Sequence, residues 1–168
     1  LYPAVSEGVT ILAAPFREGG GDSRALLLEA AAGYLGRSPG PMTLGPWGKP
    51  EFPAAPELFC SVSHSGTWWM CALGGVPLGL DLQLHRSQAD LEKLSRRFFH
   101  PEEDAFLARD GYLAFFDLWS AKESWVKYTG RGFRDDPSAF SVAAGGKFPA
   151  VEGAWLRLLP FAPGYSLC

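Results

Sequence analysis

Glu123 and Lys127 are four residues apart, so they share one face if the stretch 115–130, FFDLWSAKESWVKYTG, is helical, and Lys122 stands beside them. On spacing alone the pair is an ordinary Glu–Lys helix contact contributing ~0.2–0.5 kcal/mol. Its setting among tryptophans and phenylalanines makes it a candidate for more. Asp81 and Gln83, in LGLDLQL at 78–84, point the same way from a strand whose leucines at 78, 80, 82 and 84 line the other face. An acid in mid-strand is disfavoured by propensity, and an unfavourable residue in a well-formed element marks a functional candidate. Ser63 and His64, in SVSHSG, have the types of a nucleophile and a base, but no G-x-S-x-G elbow surrounds them. Gly48-Lys49-Pro50 places a lysine where its neighbours hold the backbone. Taken singly, each has a plain structural reading: Asp81 as the end of an element, Ser63 to Ser65 as a polar turn, a lone histidine or arginine as a packing residue.

The elements that must position these residues are legible as periodicities. Tyr112, Phe115, Phe116, Trp119 and Val126 return at three- and four-residue intervals, the period of a helix with a buried face, and Gly130 is its natural stop. Upstream, 9–16 reads as a buried strand. A helix from Arg24 to about Leu35, capped by Asp22 or Ser23, ends at Gly36. Residues 37–57, rich in proline, read as an irregular connection. Strands at 58–62 and 67–73 are expected to form a hairpin around Ser63-His64-Ser65-Gly66. After the strand at 78–84, a helix over 87–99 carries Lys93, Arg96 and Arg97, and a second helix starts at His100-Pro101 and runs to about Ala108. Strands at 139–143 and 154–159, a turn at Gly145-Gly146 and a short strand at 165–168 complete the expectation.

Tyr34-Leu35-Gly36 and Tyr128-Thr129-Gly130 occupy corresponding places in two similar runs of elements. The expected fold is α+β: a pseudo-twofold pair of similar half-domains, an N-terminal one at 1–75 and a C-terminal one at 76–168, with a ligand in the cleft between them. Of the 168 residues, 47% are apolar and 14% aromatic, ample for a packed interior. The formal charge of −3 gives no broad footprint for nucleic acid or an anionic membrane. Cys60, Cys71 and Cys168 show no metal spacing and read as buried free thiols. No apolar run approaches the ~20 residues that span a bilayer, and no signal-peptide pattern opens the sequence, so the expectation is a cytoplasmic protein.

The ordered set GKP at 48–50, SVSHSG at 61–66, GLDLQ at 79–83 and FFDLWSAKESWVK at 115–127 resembles the 4′-phosphopantetheinyl transferases, specifically the larger, surfactin-type group. RFF at 97–99, Glu103, GRGF at 130–133 and SAFSV at 138–142 extend the likeness. The G-x-D motif combined with F-x-x-x-W-x-x-K-E-S-x-x-K is far more specific than any one piece. The resemblance implies an enzyme that transfers phosphopantetheine from coenzyme A to a serine of an acyl or peptidyl carrier protein, releasing adenosine bisphosphate. Such chemistry needs charge neutralisation, a metal and a base.

By the same resemblance Asp81, Gln83 and Glu123 are the Mg²⁺ residues, with Gln83 where many relatives have glutamate. Lys127 lies one turn beyond Glu123, in reach of the phosphates or the leaving group, and Lys122 is the second basic candidate. Glu103 is a candidate base, in competition with Glu123 and a metal-bound water. Ser63 and His64 match a position that holds the 3′-phosphate of coenzyme A, and Arg24, Lys49 and Pro50 belong to the nucleotide end. The expected protein is a monomer whose carrier docks along 87–108. Two other classes remain open: a non-catalytic module binding coenzyme A or a carrier, and a nucleotide hydrolase using water as acceptor.

Overall fold

The computed structural model describes residues 8–17, 21–87, 90–132, 136–143 and 153–168. Strand β1 (Val9–Pro15) pairs antiparallel with β5 (Trp68–Gly74), which pairs in turn with β4 (Phe59–Ser65), giving a sheet of order β1-β5-β4. Two short strands, β2 (Thr43–Leu44) and β3 (Pro50–Glu51), pair within the proline-rich connection. Helix α1 (Ser23–Leu35) begins where Asp22 Oδ1 accepts the amides of Arg24 and Ala25, at 2.9 and 3.0 Å, and ends at Gly36 in the left-handed region.

The sheet is buried on both faces. On one, Leu27 and Ala31 of α1 pack with Cys60, Trp69, Cys71 and Leu73, and Trp69 Nε1 donates to Ser23 Oγ at 2.9 Å. On the other, Ile11, Met70 and Ala72 meet Leu78, Leu80, Leu82 and Leu167. The alternation of leucines therefore does face a core. Strand β6 (Leu82–Leu84) pairs antiparallel with β7 (Tyr165–Leu167). Helices α2 (Leu91–Phe98), α3 (Pro101–Arg109) and α4 (Phe115–Thr129) enclose a third core around Phe99, Leu107, Phe115, Leu118 and Trp125. Gly130, also left-handed, stops α4, and its amide bonds to Val126 O. Among the described residues no helix is long and apolar enough to cross a membrane.

Several expected elements differ. Ser63, His64 and Ser65 are not a turn but the end of β4, and the hairpin reverses at Gly66-Thr67. The strand expected over 78–84 is regular only at 82–84, because the amides of Leu80, Leu82 and Leu84 are taken by hydroxyls: Ser61, Ser63 and Ser65 accept them at 2.9, 3.1 and 2.9 Å. Three alternate serines of β4 thus lace it to the neighbouring segment where a backbone ladder would otherwise run. Asp81 lies in the same segment, its N–H bonded to Cys168 O at 2.9 Å and its C=O accepting the Cys168 N–H at 3.0 Å.

No strand forms at 139–143. A 3₁₀ turn, Pro137–Ala139, precedes irregular backbone whose Val142 N–H goes to a carboxylate, Glu103 Oε1, at 2.7 Å. The 154–159 segment is not a strand either; Leu159 makes an isolated bridge with Leu167. The expected turn at Gly145-Gly146 lies outside the described residues.

Candidate active site

Gly79 is where the two parts of the site meet. A Cβ there would stand 2.0 Å from Ser124 O and 2.5 Å from Tyr128 N, both backbone atoms of α4. Only glycine lets the segment press against the helix this closely, and two residues later Asp81 faces α4. Ser120, Glu123 and Lys127 return at helical spacing on α4. Ser120 Oγ donates to Asp81 O at 2.9 Å, and Lys127 Nζ donates to Asp81 Oδ1 at 2.7 Å.

Ser63 completes the cluster. Its hydroxyl donates to Asp81 Oδ1 at 2.9 Å and accepts from Lys127 Nζ at 3.0 Å. Both lone pairs of Oδ1 are thereby engaged, while Asp81 Oδ2 is buried without a hydrogen-bond partner. A buried carboxylate oxygen left unpaired is costly and calls for a ligand. Glu123 is half-buried, and its carboxyl is pushed up to about 7, first by burial and then by repulsion from Asp81, against the attraction of Lys127. Gln83 turns its Nε2 to Leu84 O at 2.9 Å, leaving its amide oxygen as a further hard donor. Two carboxylates that repel each other, an orphaned oxygen and an amide oxygen suit a hard divalent cation such as Mg²⁺.

The structure separates other expected site residues from this cluster. His64 follows Ser63 in an extended strand, so it points to the opposite face, exposed, with its ring 5.2 Å from that of Phe16. Lys49 gives its ammonium to three carbonyls, Leu78 O at 2.9 Å, Lys127 O at 2.7 Å and Tyr128 O at 3.2 Å. Its three protons are all used, and burial pulls its pKa down from the usual lysine value. Lys49 and Pro50 do line a cavity of about 470 Å³ at the end of α4, together with Thr129 and Gly130. Asp81 and Glu123 are not in that lining. Arg24, exposed in the first turn of α1, donates to Met42 O at 3.0 Å.

Glu103 and Lys122 form a network of their own. Lys122 Nζ donates to Glu103 Oε2 at 2.6 Å and to Phe140 O at 2.6 Å, and it lies 4.3 Å from the Phe140 ring centroid. Glu103, fully buried, also accepts from His100 N at 3.1 Å, closing the capping box of α3, and from Val142 N at 2.7 Å, while the Ser141 hydroxyl lies 3.2 Å away with its proton shared with Ala143 O at 2.8 Å. The carboxylate expected as a base is held by Lys122, His100 N and Val142 N, and the lysine expected at the phosphates is its counterion. Burial lowers the Lys122 pKa while Glu103 opposes that shift.

Ser61, Ser65, Ser120 and Cys168 were not among the expected site residues. The alternation of serines at 61, 63 and 65 and the helical spacing of 120, 123 and 127 were the available signals. A further set joins β7 to α4: Ser166 Oγ donates to Asp117 Oδ1 at 2.5 Å and lies 2.8 Å from His85 Nε2. Since that hydroxyl donates to the carboxylate and is buried, it is a clamp and not a nucleophile.

Residues 77–151 match the family model of the 4′-phosphopantetheinyl transferase superfamily. A 4′-phosphopantetheinyl transferase of Bacillus subtilis is 34% identical over 125 residues, 70% of this chain and 54% of the relative. The transferase Sfp of Bacillus subtilis strain 168 is 37% identical over 101 residues, 57% of this chain and 44% of Sfp. The transferase HetI of a Nostoc species is 35% identical over 120 residues, 65% of this chain and 50% of HetI. The chain spans about half the length of these curated relatives.

Proposed function

We propose, from the match of residues 77–151 and from these relatives, that the chain belongs to the 4′-phosphopantetheinyl transferase superfamily and transfers 4′-phosphopantetheine from coenzyme A to a serine of an acyl or peptidyl carrier protein. In the reaction the serine oxygen forms a bond to the phosphorus that carries pantetheine. The bond from that phosphorus to the remaining phosphate breaks, and adenosine 3′,5′-bisphosphate departs. The observation that carries the reading is the Asp81–Ser63–Lys127 cluster with its orphaned carboxylate oxygen and the raised Glu123 carboxyl.

Asp81 and Glu123, with Gln83 as the third oxygen donor, would hold Mg²⁺, which when bound neutralises pyrophosphate charge. Lys127 stabilises charge on the phosphates from beside Asp81. With Glu103 spent on its own network, the proton of the serine is left to Glu123 or to a metal-bound water. The carrier docks against α2, whose exposed Arg96 and Arg97 suit an acidic helix. The chain acts as a cytoplasmic monomer of two half-domains, 1–75 and 76–168; the matching left-handed ends of α1 and α4 at Gly36 and Gly130 favour that division.

The test is the intact mass of an apo carrier protein after incubation with this protein, coenzyme A and Mg²⁺. The expected result is a gain of one phosphopantetheine, lost with chelator and with Glu123→Ala. Tight coenzyme A binding without transfer to any carrier would favour a non-catalytic module, a reading that Gln83 in place of an acid makes specific. Coenzyme A consumed without a carrier would favour the hydrolase.

A further inference from the structure

We propose that Ser63 is not a ligand of coenzyme A but a positioning residue that orients Asp81 and Lys127 for the metal and phosphates. The inference rests on the metal-site reading above. A serine hydroxyl has one proton and two lone pairs. In Ser63 the proton goes to Asp81 Oδ1, and the lone pairs accept Lys127 Nζ at 3.0 Å and Leu82 N–H at 3.1 Å. Nothing is left to donate to a phosphate, and the side chain is buried at 5% exposure. The adjacent His64, exposed near the end of β4, is the one of the pair that a nucleotide phosphate can reach.

The geometry fixes one rotamer of the carboxylate. With Oδ1 held by Ser63 and Lys127, Oδ2 is the oxygen left for a cation. Outer-shell hydrogen bonds of this kind tune metal affinity by about 10–100-fold. The serine lacing supplies its own control, because Ser61 accepts a backbone amide, that of Leu80 at 2.9 Å, as Ser63 accepts that of Leu82. Removing either hydroxyl orphans one amide in the same seam, but only Ser63 touches Asp81.

The experiment is a Mn²⁺ titration of the full chain with coenzyme A present, read as free Mn²⁺ by electron paramagnetic resonance. It compares the unsubstituted protein with Ser63→Ala, Ser61→Ala and Ser63→Thr, each checked for folding by near-ultraviolet dichroism. Ser63→Ala is expected to weaken Mn²⁺ binding by about tenfold. Ser61→Ala should stay within about twofold of the unsubstituted protein, and Ser63→Thr, which keeps the hydroxyl, should recover most of the affinity. Equal Mn²⁺ affinity in Ser63→Ala, or equal losses in Ser61→Ala and Ser63→Ala, overturns the inference. No Mn²⁺ binding by the unsubstituted protein overturns the metal-site reading itself, and this inference with it.

Discussion

Glu103 offers the sharpest separation between a reacting group and a structural one. Replacing it by alanine removes the counterion of Lys122, whose side chain is 5% exposed, and leaves the amides of His100 and Val142 without their acceptor. Breaking a buried ion pair by deleting one partner costs about 3–5 kcal/mol, because the remaining charge stays in a poorly solvating interior. For a chain of this size each kcal/mol lowers Tm by about 2–4 °C, so Glu103→Ala should melt about 6–20 °C lower. Deleting both charges, in Glu103→Ala with Lys122→Met, should restore part of that loss, since no uncompensated cation remains. The assay is thermal unfolding followed by tryptophan fluorescence, with transfer activity measured well below each midpoint. A Glu103→Gln protein that melts within about 2 °C of wild type yet has lost transfer would refute the reasoning and return Glu103 to the role of base.

Lys49→Met should lose the clamp on the carbonyls of Leu78, Lys127 and Tyr128, lowering stability by about 1–3 kcal/mol with little change in the coenzyme A constant; unchanged melting with a raised constant would make Lys49 a ligand contact instead. Gln83→Glu adds a negative charge to the proposed metal set and should lower the Mg²⁺ concentration needed for half-maximal activity, so an equal requirement argues against Gln83 as a donor. The Glu123 carboxyl, ordinarily near 4.5, sits at about 7 when folded, so between those values the folded protein binds more protons than the unfolded one. Metal-free protein should therefore lose stability as pH rises through that window, and Glu123→Gln should flatten the slope in melts recorded with chelator.

Long, periodic elements were legible because burial writes itself into spacing. The helix ending at Gly130, the helix capped by Asp22 and the leucine face of 78–84 all follow from where apolar side chains recur. The cluster of Asp81, Glu123 and Lys127 was legible as motif. What escaped was the work of small polar groups. Ser63 to Gly66 looked like a turn because serine and glycine favour turns, yet Ser63, His64 and Ser65 continue a strand whose serines replace backbone partners. That same alternation splits Ser63 from His64, which the sequence reading had paired. Glu103 and Lys122 looked reactive because the family resemblance put them at the site. No spacing rule joins residues nineteen apart, on separate helices, into one buried ion pair.

The fastening of Asp81 also bears on the order in which the molecule can assemble. Its side chain waits for Ser63, 18 residues away, and for Lys127, 46 away; its backbone waits for Ser120, 39 away, and for Cys168. Closing such loops costs chain entropy before any contact rewards it. Of the first sheet only the β4–β5 hairpin is local, since β1 reaches β5 across more of the chain than separates Asp81 from Lys127, and the carboxylate is set only when α4 and β7 arrive. In a refolding experiment, cation binding at the proposed centre should appear no earlier than the burial of Trp125, which reports the docking of α4. A chain caught halfway would have a hydrophobic core while Asp81 still lacked its partners.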